Sequence, residues 1–139
     1  MIVDQGQQEI AYTLSTGGAP FPGLRNVLQE LKNLGADVYV ASGDSMRSLK
    51  SLTEYGIDLS RIHSAASPRR KKEIVMDLKK KYRRVVMVGD GLNDLYALRA
   101  ADTGILTVQQ DTRPALKLRQ ASNENIRNIQ ELSEIVKRV

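Results

Sequence analysis

Asp90 and Asp94 stand four residues apart, directly behind the unbroken apolar run Val85-Val86-Met87-Val88. Such a run suits a strand covered on both faces, as in a parallel sheet. Gly89-Asp90-Gly91 ends it, and Leu92 onward reads as a helix. A carboxylate then lies at the carboxyl end of a buried strand, where open α/β sheets place their ligands, with a second in the first turn of the next helix. Two such carboxylates suit a hard divalent cation such as Mg²⁺. A Gly-Asp turn followed by acids that favour a helix start would look similar. The six-residue string GDGLND behind a VVMV strand is more specific than that turn alone.

Two further side chains fit the same chemistry. Ser42-Gly43 follows Asp37-Val38-Tyr39-Val40-Ala41, another strand-like run. A hydroxyl and exposed backbone N–H groups at a strand-to-helix turn can hold phosphate oxygens, or can simply cap a helix. Lys71 is the third residue after Pro68 and can reach an anion as a point charge, although it sits in the basic string Arg69-Arg70-Lys71-Lys72. Phosphoryl transfer needs charge neutralisation by metal and lysine, with donors on the equatorial oxygens. Hydroxyl, lysine and paired carboxylates on successive elements meet that need together.

The elements that must position them read as follows. Met1 to Gln5 and Glu9 to Ser15 are short strands joined by a Gly6-Gln7-Gln8 turn, an N-terminal hairpin. Residues 16–23 form a Gly/Pro-rich loop. A helix runs from Pro22 to Leu34, stopped by Gly35. After the Asp37–Ala41 strand comes a helix from Ser45 to Tyr55, then a short strand near Arg61-Ile62-His63. Ser67-Pro68 caps a helix reaching Lys80. A helix from Leu92 to Ala100 follows the VVMV strand. Gly104 to Val108 is a strand, Pro114 to Gln120 a short helix, and Glu124 to Val136 a last docking helix. Strands alternating with helices predict a doubly wound, Rossmann-like parallel α/β sheet with helices on both faces.

Composition bounds the rest. The 139 residues predict a single domain, 1–139. The longest wholly apolar runs are four or five residues, too short to cross a membrane. No cysteine is present, which excludes disulfides, thiolate metal sites and a cysteine nucleophile. With no signal-peptide pattern at the start, a cytoplasmic location is expected. The net charge of +5 is concentrated: nine basic residues against Glu73 and Asp77 give Arg69 to Arg84 a charge of +7. That stripe could attract nucleic acid, but it holds one aromatic, Tyr82, and no stacking platform. It reads as a solvated helix face, and nucleic acid is an unfavoured partner. His63, the single histidine, has no partners for a triad or zinc site and reads as structural.

The constellation resembles the haloacid dehalogenase-like phosphohydrolase superfamily, closest in look to its P-type ATPase and small soluble phosphatase branches. VYVASGD is similar to the second motif, with Ser42 as the phosphate-binding hydroxyl. PRRKKEIV is similar to the third, with Lys71 as its lysine. VVMVGDGLNDLYALRAAD is similar to the fourth, with Asp90 and Asp94 as magnesium carboxylates and Asn93 nearby. The resemblance implies a Rossmann-like core, Mg²⁺ dependence and an aspartyl-phosphate intermediate on a phosphate monoester.

The first motif departs from the pattern, because no strand here ends in DxD or DKTGT. Two placements are open. In one, Met1-Ile2-Val3 is the central strand and Asp4 is both nucleophile and metal ligand, with Gly6 where an acid/base carboxylate is usual. In the other, Glu9 to Ser15 is the central strand, and Thr13 and Ser15 replace the two acids. The second describes a degenerate module that binds metal or phosphate without catalysis. Ser42 to Lys71 has room for one helix and one strand, so no cap domain is expected. An open site would take a phosphorylated small molecule or macromolecule, or borrow a neighbouring subunit of a homo-oligomer as its lid.

Overall fold

The structure, a computed structural model, describes residues 10–14, 24–89, 91–107 and 122–126. Six strands form one parallel sheet: β1 (Ile10–Leu14), β2 (Asp37–Ala41), β3 (Ile62–His63), β4 (Arg84–Gly89), β5 (Thr103–Thr107) and β6 (Glu124–Ile126). Their order across the sheet is β3-β2-β1-β4-β5-β6. The order reverses at β1, which pairs with β2 on one side and β4 on the other. Ligands of open α/β sheets bind at such a switch point.

The helices follow from apolar spacing. α1 (Leu24–Asn33) buries Val27, Leu28 and Leu31. Gly35, at φ 81°, closes it in the left-handed conformation that a glycine adopts without steric cost. α3 (Pro68–Lys81) buries Lys71, Ile74, Val75 and Leu78, and the Ser67 side chain caps it by accepting from the Arg70 N–H at 3.1 Å. α4 (Leu95–Ala100) buries Ala97 and Leu98. Two cores result. Tyr12, Leu14, Val40, Val86, Val88 and Ile105 pack against α1 and Leu49 and Leu52. Ala11, Ala41, Val85, Met87 and Leu106 pack against α3 and α4 on the other face. The expected doubly wound architecture is present, with β4 buried from Val85 through Gly89.

Four boundaries differ from the sequence expectation. The Ser45–Tyr55 helix is a short α2 (Met46–Leu49) that tightens into a 3₁₀ stretch, Lys50–Tyr55. The Thr53 hydroxyl donates to the Lys50 carbonyl at 2.8 Å, and buried Leu49 and Leu52 lie three residues apart, the 3₁₀ repeat. The Leu92–Ala100 helix likewise begins as a 3₁₀ turn, Leu92–Asp94. Residues 124–126, expected to open a helix, form β6 instead. Asn123 starts that strand: its N–H donates to the Gly104 carbonyl and its side chain accepts from the Gly104 N–H, both at 2.7 Å. The fourth difference concerns the centre of the sheet. β1 fills the slot between β2 and β4, so the placement that put Met1-Ile2-Val3 there does not hold. Residues 1–9, with Asp4 and the expected hairpin turn, lie outside the described residues, as do the Pro114–Gln120 helix and residues 127–139. No helix among the described residues is long and apolar enough to cross a membrane.

Candidate functional site

The site gathers at the carboxyl edge of the sheet. Ser42 follows β2, and its backbone is fixed from both sides: its N–H donates to the His63 carbonyl at 3.0 Å and its carbonyl accepts from the Ala66 N–H at 2.8 Å. The Ala65 N–H donates to the Asp44 carbonyl at 2.8 Å. Ala65 has φ 50°, a left-handed conformation that is unfavourable for a residue with a Cβ. Two hydrogen bonds thus staple the loop after β2 to the loop that leads into α3, and they hold Ala65 in its strained turn. Ser42 is buried, and its Oγ accepts from the Asp44 N–H at 3.1 Å. A hydroxyl that accepts one bond still has its own proton to donate, as an anion requires. Gly43 is exposed beside it.

Lys71 lies in the first turn of α3 and turns inward, only 2% exposed. Its Nζ meets Asp94 Oδ1 at 2.8 Å, and Asp94 is wholly buried. The tight 3₁₀ turn supplies the inward aim: the Asp94 N–H donates to the Gly91 carbonyl at 2.9 Å, while Gly91 N–H lies 3.4 Å from Asp94 Oδ2. Burying a charge pair carries a large desolvation cost, so a pair of this kind is weak evidence for stability.

Gly89 is required by close approach. A Cβ there would lie 2.7 Å from Asp94 Cβ and 2.8 Å from Asp94 Oδ2. The Gly89 carbonyl accepts from the Thr107 hydroxyl at 3.2 Å. β4 pairs Gly89 with Leu106, and this brings Thr107 alongside the turn. Sequence reasoning missed Thr107, because eighteen residues separate the pair and only strand pairing joins them. At Gly91, a Cβ would lie 3.0 Å from Asn93 Oδ1, so the Asn93 side chain folds back over the turn. Asn93 is exposed.

The structure therefore brings Lys71 and Asp94 into direct contact and places Ser42, Gly43 and Asn93 at the same edge of the sheet. Asp90 and Asp4 lie outside the described residues. Leu14 is flanked in register by Val40 and Val88, so two strand spacings, about 10 Å, separate the ends of β2 and β4. β1 ends between them without a carboxylate: Leu14 is followed by Ser15-Thr16-Gly17-Gly18. Thr13 shares the α3/α4 side of the sheet with Ala11, and is buried with no hydrogen-bond partner among the described residues. The Tyr12 hydroxyl on the opposite side likewise has no partner among the described residues, and its burial pushes the phenol's pKa up. Burial, and then Arg70, lower the pKa of His63, which leaves it neutral near pH 7.

A parallel switch-point sheet with a buried serine after β2 and a buried lysine–carboxylate pair beside β4, at one carboxyl edge, defines a Rossmann-like α/β fold with a polar site at its strand ends. Residues 2–102 match the family described as haloacid dehalogenase-like hydrolase, and the chain belongs to that family. Over its whole length it is 34% identical to a soluble P-type ATPase-like phosphatase of Methanocaldococcus jannaschii, of which it spans 51%. It thus covers about half the length of that relative. Among solved structures, it superposes on the catalytic domain of the CPx-ATPase CopB-B with a TM-score of 0.73 and 29% identity, covering 86% of this chain and 46% of that one. The fold also matches the 3-deoxy-D-manno-octulosonate 8-phosphate phosphatase of Moraxella catarrhalis, solved with magnesium, phosphate and sugar, at a TM-score of 0.69 and 20% identity over 98% of this chain and 89% of that one.

Proposed function

We propose that this chain is a Mg²⁺-dependent phosphohydrolase that acts on a phosphate monoester through an aspartyl-phosphate. The buried Lys71–Asp94 contact at 2.8 Å carries this reading, because it sets a cation and a hard oxygen ligand side by side beneath an open strand edge. Ser42 would donate to one phosphoryl oxygen, the Gly43 N–H and Asn93 to others, and Lys71 would neutralise the charge that develops on them. The donor chemistry fits a hard cation: Asp94 offers carboxylate oxygen, and cysteine is absent from the chain. Asp94 with Asp90 would hold the ion, and the ion would supply Lewis-acid stabilisation of the transferring group.

The nucleophile is the open part of this reading. Asp4 is the candidate carried over from the sequence; with β1 in the central slot it no longer ends that strand, and its own position lies outside the described residues. A second reading, a module that binds metal or phosphate without turnover, is favoured by the end of β1, where Thr13 and Leu14 stand in place of an acid. An unassisted threonine does not form an acyl phosphate. Hydrolysis of an aryl phosphate with Mg²⁺, measured for wild type, Asp4→Asn and Asp90→Asn, separates the two. Turnover abolished by both substitutions is the expected result. No turnover in wild type, with Mg²⁺ still raising the melting temperature, would establish the second reading instead.

A further inference from the structure

Outside the site, the surface between α3 and α4 combines hollows, exposed apolar side chains and unpaired cations among the described residues. Two hollows adjoin there, of about 600 Å³ and about 420 Å³. They share Lys72, Met76 and Tyr96, so they form one groove. Arg69 stands at one end and Lys79 and Arg99 at the other. Arg69 to Lys79 is ten residues of helix, about 15 Å, which matches four or five extended residues of a bound chain.

The floor is apolar and open to solvent: Met76 is 43% exposed and Tyr96 is 53% exposed. Leu92, 59% exposed, lies in the turn that leads from the site into α4. The rim is basic. Arg69, Lys72 and Arg99 have no ion pair among the described residues, whereas Arg70 is paired with Glu73 and Lys79 with Asp102. Uncommitted cations around a half-exposed methionine and tyrosine complement an acidic segment that brings an apolar anchor. Two features favour protein over nucleic acid. Glu73 and Asp77 also line the groove and would repel a continuous phosphate backbone. Among the described residues Tyr96 is the only aromatic lining the groove, so successive bases have no platform there.

We propose that the α3–α4 groove docks an acidic, apolar-containing stretch of a phosphorylated protein. Arg69 shares the first turn of α3 with Lys71 but faces outward, so the Arg69 end of the groove is level with the carboxyl edge of the sheet where the phosphate site lies. A segment lying in it would present its own phosphate monoester to Ser42 and Lys71. This rests on the phosphohydrolase reading above, and it narrows the substrate class to a protein-borne phosphate.

The test uses the full chain and a fluorescein-labelled decapeptide with one phosphoserine followed by three glutamates and a phenylalanine. Fluorescence anisotropy reports binding. Lys72→Glu combined with Arg99→Glu should weaken binding at least tenfold, and so should Met76→Asp or replacing the peptide's phenylalanine by glycine. Aryl-phosphate hydrolysis by the same protein variants should stay at the wild-type rate. Unchanged peptide affinity in the variants overturns the proposal. Equal competition by a single-stranded oligonucleotide overturns it too, since that would show a general polyanion surface. Peptide binding that depends on the groove, in a protein with no aryl-phosphate turnover, would sink the hydrolase reading while leaving the groove in place.

Discussion

Lys71 and Lys72 are neighbours in one basic string, yet they belong to different regions of the molecule. Lys71 is buried against Asp94, whereas Lys72 is exposed on the rim of the α3–α4 groove. The inner side of α3 thus carries one cation in a fixed, desolvated contact, and the outer side carries several in water. Charge type does not separate them. The difference comes from helical phase, which turns Lys71 with Ile74, Val75 and Leu78 toward the sheet. A buried charge has strong, directional consequences, while an exposed one is screened and weak.

The sharpest way to break the contrast is Lys71→Met. It leaves Asp94 buried without its cation, and removing one partner of a buried pair costs about 3–5 kcal/mol. Chemical denaturation should show that loss, with Asp94→Asn added on top recovering part of it. Lys72→Gln, one residue away, should stay within about 0.5 kcal/mol of wild type.

Next in size is Gly89→Ala. The added methyl would collide with Asp94, and overpacking of this kind costs about 1–3 kcal/mol. Because the atoms displaced are Asp94's own, any aryl-phosphate turnover should be lost even where the protein stays folded, as circular dichroism at 25 °C would check.

Thr107→Val removes the hydroxyl that holds the Gly89 carbonyl at nearly constant shape. A neutral hydrogen bond of this sort contributes about 0.5–1.5 kcal/mol. The melting temperature should fall modestly, and Mg²⁺ should raise it less than in wild type. Thr107→Ser should restore both, whereas an effect of lost packing would persist in the serine variant.

The smallest effect tests the reach of an outer cation. Burial and Arg70 hold His63 below its ordinary pKa of 6.5. As pH falls through 6.5 the unfolded chain takes up a proton before the folded one does, so stability is lost below that point and is unaffected above it. His63→Gln should flatten this part of a melting-temperature profile taken between pH 7.5 and 5. Arg70→Gln should flatten it slightly. A profile equally steep in the His63 variant would show that other groups set the slope.

Much of this was legible in the chain. Continuous apolar runs such as VVMV announce strands covered on both faces, and the 3.6-residue spacing of Val27, Leu28 and Leu31 announces a helix. The positions of Asp94, Lys71 and Ser42 at the ends of their elements were legible, because each follows its strand or helix start at a short fixed distance. The tight turns were harder to see. Lys50–Tyr55 and Leu92–Asp94 carry helical patterns, and hydrogen bonding with local packing decides between 3₁₀ and α. Residues 124–126 read as helix because their apolar spacing continues downstream, whereas the edge of β5 draws them into a strand.

The sequence by itself determined the alternation of strands and helices and the residue types at the strand ends, because both depend on local spacing. Which strand takes the central slot, and that Lys71 rather than Lys72 meets Asp94, was decided only by tertiary structure. Hydrogen bonding to both neighbours is open to any strand of suitable length, and the choice falls to the one whose two faces both find a core.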